Sequence, residues 1–174
     1  MKFKGLCFFI TAICLSATLS PSWAAGNKGV RACLTSDLIG VWDMQSINTK
    51  VKLDPNSSFG WPYQRFSFDR RGDVKEMMST TPIAGDKAAM QKFENAASTS
   101  KFSLDERGIL SISKIESPEP EHCACSIAIK EVPAEMLAKL PEAKRALIPH
   151  QGDLILTYMS RGNKPVVIKS LRRV

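Results

Sequence analysis

Three tight-turn signals, each flanked by runs of alternating apolar and polar residues, constrain this chain more than any other feature. Arg70-Arg71-Gly72-Asp73 separates 63–69 from 74–79, and Asp105-Glu106-Arg107-Gly108 separates 102–104 from 109–115. Arg161-Gly162-Asn163-Lys164 separates 154–160 from 166–172. A period of two sends successive side chains to opposite faces of a strand, and a short polar turn with Gly folds one strand back on the next. Two further runs share the period. In 38–47, Trp42, Met44 and Ser46 oppose Val41, Asp43 and Gln45; in 123–131, Cys123, Cys125, Ile127 and Ile129 oppose Ala124, Ser126, Ala128 and Lys130. The reading is mainly β, with eight antiparallel strands. Closing them into an up-and-down barrel removes both exposed sheet edges, so the barrel is the expected architecture and a β-sandwich its competitor. Two insertions have helical spacing. Ala89, Met90, Phe93 and Ala97 form one stripe in 86–97, and Pro133 and Pro141 open two short helices in 133–147.

The N-terminus sets the compartment. Lys2 and Lys4 form a basic start, 6–19 is an uncharged apolar run, and Pro21 precedes Ser22-Trp23-Ala24. This is the pattern of a secretory signal peptide, cleaved after Ala24, and its short Lys-bearing start points to a bacterial periplasm or secretion. The apolar run is too short to span a bilayer, and no later segment is apolar enough to do so. The expected layout is 1–24 signal peptide, 25–33 flexible leader and 34–174 a single barrel domain. Removing the signal leaves 22 basic against 17 acidic residues. That surplus is spread along the chain rather than gathered in a patch, so no nucleic-acid partner is expected.

Three cysteines survive signal removal: Cys33, Cys123 and Cys125. In an oxidising compartment an odd count means one disulfide and one spare thiol, an intermolecular bond, or a shared metal. Cys123 and Cys125 share a strand face, so either could reach Cys33. The bond would close a loop of about 90 residues, worth about 4 kcal/mol by chain entropy. His122-Cys123-Ala124-Cys125 with Cys33 is also a donor set suited to zinc or Cu(I). Alternation with Ile127 and Ile129 sends both thiols to the core face and His122 to the other, which favours the disulfide over a metal site.

Gly40-Val41-Trp42 near the start of the first long strand, with Leu171-Arg172-Arg173 ending the last, resembles the Gly-x-Trp pattern of lipocalins and the wider calycin barrels. The resemblance implies that Gly40, Trp42 and either Arg172 or Arg173 close the narrow end, the guanidinium lying across the indole. It also implies a cup for a small apolar or amphipathic molecule. The inward candidates are Trp42, Met44, Phe66, Phe68, Met77, Phe102, Leu154, Leu156 and Tyr158; the same residues could instead fill the barrel completely. Phe59, Trp61, Pro62 and Tyr63 cluster in the long first loop, as a gate over the open end, a protein-docking surface, or a loop folded back on the core.

Enzyme signals are sparse. His122 and His150 are the available imidazole bases, and a small barrel enzyme using either is the competing function. No Gly-x-Ser-x-Gly elbow, His-Glu-x-x-His helix or Gly-rich phosphate loop occurs, so no cofactor is expected. A non-catalytic, exported binding protein is the first expectation, and a filled-barrel accessory protein the second.

Overall fold

The structure, a computed structural model, describes residues 29–116, 119–160, 162 and 164–174. The signal peptide and the first part of the leader lie outside these residues. Nine strands are described: β1 Val30–Ala32, β2 Gly40–Thr49, β3 Tyr63–Phe68, β4 Asp73–Ser79, β5 Ser100–Leu104, β6 Ile109–Lys114, β7 Glu121–Ala128, β8 Leu154–Met159 and β9 Pro165–Arg173. From β2 to β9 each pairs antiparallel with its sequence neighbour, and β9 returns to β2. The result is a closed eight-stranded antiparallel barrel. Helices α1 Thr35–Leu38, α2 Lys87–Asn95, α3 Ala134–Ala138 and α4 Glu142–Arg145 sit in its connections. Pro133 and Pro141 are the residues immediately before α3 and α4.

The two hairpins nearest the middle use one turn chemistry. Asp69 Oδ1 accepts from the backbone N–H groups of Arg71 and Asp73, and Asp105 Oδ1 accepts from those of Arg107 and Ile109. Each turn then needs a left-handed residue, supplied by Gly72 (φ 81°) and Gly108 (φ 78°). Asp86 caps α2 by accepting from Ala88 and Ala89, and buried Phe93 seats the helix outside the barrel near Arg65.

Three local expectations change. Residues 30–32 are not a loose leader: they pair with Ser126, Ile127 and Ala128 of β7 as β1, and Cys33 is anchored just beyond. In β2 the register against β9 shifts between Met44 and Ser46, a bulge at Gln45. The extra residue flips the alternation, so Ile47 rather than Ser46 packs on the core. In β4, Met78 and not Met77 packs against the core. Val74 is the buried residue that sets the phase, and Met77 lies opposite Arg65 on the outer face.

The core runs down the barrel axis. Trp42, Phe66, Phe68, Leu110, Ile112, Leu154, Leu156 and Leu171 are all 5% exposed or less. Phe66 stacks on Phe68, and Phe102 meets Phe68 edge-on at 5.4 Å. The weakest seam is β4–β5, joined by two residue pairs, Asp73–Lys101 and Val74–Ser100, before the strands part toward the opposite end.

Candidate functional site

The two barrel ends differ in chemistry. At the end where β2 begins, Trp42 donates from Nε1 to the Leu38 carbonyl of α1 at 2.7 Å. Arg173 crosses the indole at 4.7 Å and donates to the carbonyls of Ile39 and Asp37 at 2.8 and 2.7 Å. Gly40 is required beneath it: its φ is 139°, and a Cβ there would lie 3.0 Å from Arg173 Nη1. Of the two arginines it is therefore Arg173 that closes the barrel. Arg172 turns outward and holds the buried Asp153 carboxylate through two hydrogen bonds of 2.9 Å. The Cys33–Cys125 disulfide lies beside β1. Cys123 is the spare thiol, buried as the alternation required.

At the open end the inward face turns polar. Directly opposed residues share a face, so the pairings Leu156–Lys169, Gln64–Met78, Phe66–Glu76 and Ile112–Glu121 carry Lys169, Gln64, Glu76 and Glu121 onto the interior side. Lys169 is 0% exposed. Its Nζ donates to Gln64 Oε1 at 2.9 Å and lies 3.6 Å from the centre of the Phe59 ring and 5.4 Å from that of Tyr158. Gln64 Nε2 donates in turn to the carbonyls of Phe59 and Trp61 at 2.8 and 2.9 Å, and to that of Ser58 at 3.4 Å. The short 3-10 turn Ser58–Gly60 is thereby tied over the mouth, with Phe59 edge-on to Tyr158 at 4.9 Å.

Burial sets the electrostatics of this layer. It lowers the Lys169 pKa to about 8, against the opposing pull of Glu121 and Glu76. It pushes the Cys123 thiol, beside the Tyr158 hydroxyl, up to about 12 and holds Tyr158 well above its ordinary value. Glu76 is raised by burial and by Glu121, with Lys114 and Lys169 opposing. At the rim, Lys114 and Glu121 pair at 3.5 Å. Ser100, inward and 0% exposed on β5, has an Oγ without a hydrogen-bond partner among the described residues. An open depression of about 480 Å³ adjoins this end, lined by Ser98, Thr99, Lys114, Ile115 and Glu116.

The candidate interior residues divide between these regions. Trp42, Met44, Phe66, Phe68, Phe102, Leu154 and Leu156 belong to the packed core, while Tyr158 reaches the polar layer. Met77 is outside both. The alternative catalytic residues stand apart from the mouth interior. His122 points outward to Ser111 Oγ at 2.8 Å, and exposed His150 meets Glu131 at 2.6 Å in the loop leading into β8. Lys169, Gln64 and Glu76 are additions to the site. Each is legible by parity: Lys169 alternates with Leu171, Gln64 with Phe66, Glu76 with Val74.

No protein-family model matches this chain, and neither a curated protein nor a solved structure matches it. Among the described residues no helix is long and apolar enough to cross a membrane.

Proposed function

We propose that this is an exported, lipocalin-like barrel that binds a small amphipathic molecule at its open end. The observation that carries the reading is the polar, aromatic layer around buried Lys169, set beneath the Phe59 turn. A filled barrel needs no such layer, because a buried ammonium costs stability unless something repays it. The closed half is packed, so the molecule sits high in the barrel rather than deep within it. Arg173 over Trp42 supports the lipocalin-like assignment, and the Cys33–Cys125 disulfide supports an oxidising compartment. Native mass spectrometry of the exported protein tests the reading. A co-purifying small molecule lost on Lys169→Met supports it, and a protein that stays empty and takes up no amphiphile refutes it.

A filled-barrel accessory protein is the second reading. The packed closed half and Tyr63, 38% exposed beside the Phe59 turn, favour it. A stable protein complex lost on Tyr63→Ala, with no small molecule bound, would establish it.

A further inference from the structure

We propose that Lys169 anchors an anionic head group on the bound molecule, and that the Phe59 turn is the lid which that head group displaces. This rests on the binding reading above and names its ligand class: an amphiphile with a carboxylate or phosphate head.

The argument begins with what the ammonium lacks. Three N–H bonds need acceptors, and among the described residues Gln64 Oε1 is the one oxygen that takes a hydrogen bond from it. Among the described residues no carboxylate lies within the 4.0 Å of an ion pair. The remaining surroundings are ring faces, Phe59 at 3.6 Å and Tyr158 at 5.4 Å. A ring face is a weaker partner for a buried ammonium than an anion making charge-assisted hydrogen bonds. Phe59 thus occupies the place an anionic oxygen would take.

The neighbouring charges allow it. Glu121 on β7 is already paired with Lys114 on β6. Glu76 on β4 is held toward its neutral form by burial. Cys123 on β7 and Tyr158 on β8 stay protonated at neutral pH. An arriving anion therefore meets two cations, Lys169 and Lys114, beside Glu121, which Lys114 pairs, and Glu76, whose pKa burial raises. Ser100 Oγ, buried without a partner in the same interior, leaves a hydroxyl unused. A cationic head would be repelled, and a neutral one would leave the ammonium as it is.

The lid is a short turn with few ties to the barrel. Its backbone closes on itself through Gly60 N–H to Ser57 O and Trp61 N–H to Ser58 O, both 3.1 Å. Its hydrogen bonds to the barrel come from one side chain, Gln64, which also holds Lys169, and its remaining hold is the Phe59 ring against Lys169 and Tyr158. Taking Lys169 away from Phe59 therefore disturbs both contacts together.

The test uses the oxidised protein, with calorimetry at neutral pH against four probes with a dodecyl-length chain, each below its micelle concentration or solubility limit: dodecanoate, dodecyl phosphate, dodecanol and dodecyltrimethylammonium. At least one anion binds about tenfold or more tighter than the alcohol and the cation, and which anion leads separates carboxylate from phosphate recognition. Lys169→Met brings the anion down to the affinity of the alcohol. Phe59→Ala, which leaves the barrel wall intact, strengthens anion binding several-fold, and anion binding speeds exchange of the Gln64 side-chain amide as its hydrogen bonds to the turn break. Equal binding of all four probes, or an anion preference that survives Lys169→Met, overturns the anchor while leaving the binding reading standing. Weaker anion binding by Phe59→Ala overturns the lid. Failure of every probe to bind overturns the binding reading together with the anchor.

Discussion

Replacing Lys169 by Met is expected to erase a pH dependence that the wild-type barrel shows between pH 8 and 9. Burial holds the ammonium at about 8, against 10.5 unperturbed. A base whose pKa is lower folded than unfolded carries fewer protons folded, so stability rises with pH from about 8 until the unfolded value is reached. Below pH 8 the cost of the buried charge is fully present. At about 1.4 kcal/mol for each pH unit of the gap, it is on the order of 3 kcal/mol. Two acids oppose this at higher pH. Cys123, raised from 9.0 to about 12, keeps its proton folded while the unfolded thiol loses it, so its contribution falls above pH 9. Tyr158 does the same from about 10 upward. The window from 8 to 9 belongs mainly to Lys169.

The substitution also strands Gln64 Oε1 and removes the cation from Phe59, costing about 2 kcal/mol together, so at pH 7 the variant sits near wild type. The assay is urea unfolding of both proteins in half-unit steps from pH 6.5 to 9. The wild-type-minus-variant difference is expected to stay flat below 7.5 and to climb by about 1 kcal/mol between 8 and 9. Parallel curves across the whole range would refute the argument.

The cysteines and the two C-terminal arginines supply four further predictions. Cys33→Ala with Cys125→Ala opens a loop spanning 92 positions and is expected to lose about 4 to 5 kcal/mol in urea unfolding, whereas Cys33→Ala with Cys123→Ala in a strain keeping Cys125 reports the same loss only because Cys33 is gone. The sharper comparison is therefore Cys123→Ala alone, expected to cost no more than about 1 kcal/mol, and a thiol count that finds one reactive group after unfolding and none before. Arg173→Met gives up two carbonyl hydrogen bonds and the indole contact and is expected to lower stability by about 2 kcal/mol, with Trp42 fluorescence changing as its cover is removed. Arg172→Met is expected to cost a similar amount by leaving the Asp153 carboxylate buried without its partner, but with Trp42 fluorescence unchanged.

The fold was legible because its signals are local and repeat. Alternation in β3, β7, β8 and β9 and the Asp-x-Arg-Gly turns after β3 and β5 each specify one piece, and antiparallel neighbours assemble the pieces in chain order. What escaped has physical causes. β1 is three residues long, too short for a period to show, and its strand state comes from β7 and the adjacent disulfide. The Gln45 bulge leaves no mark in composition, yet it reverses the face of everything after it in β2. Met77 and Met78 are both apolar, so only the phase set by buried Val74 decides between them. Arg172 and Arg173 could have been separated by parity, since Arg173 alternates with Leu171. The polar mouth was missed for a different reason. An inward Lys169 contradicts the rule that identifies core positions, and a local violation of that rule is where function is to be sought.

That violation also explains why the two ends of the barrel are built so differently. An ammonium buried at a cost on the order of 3 kcal/mol is a large fraction of the stability of a domain this size. The closed end holds the compensating contacts: a disulfide worth about 4 kcal/mol, an arginine tied to two carbonyls, and a packed tryptophan bonded to α1. None of these ties reaches the mouth. There the β4–β5 seam parts after two pairs, and the Phe59 turn is held by the Gln64 side chain and by ring contacts to Lys169 and Tyr158. Opening the mouth therefore leaves the closed-end contacts intact, and local opening costs less than global unfolding. If the same charge had been placed among Trp42, Phe68 and Leu171, releasing it would require unpacking the core. Placed at the weakly tied end, Lys169 could change partners, as the proposed anchor requires, without unpacking the core.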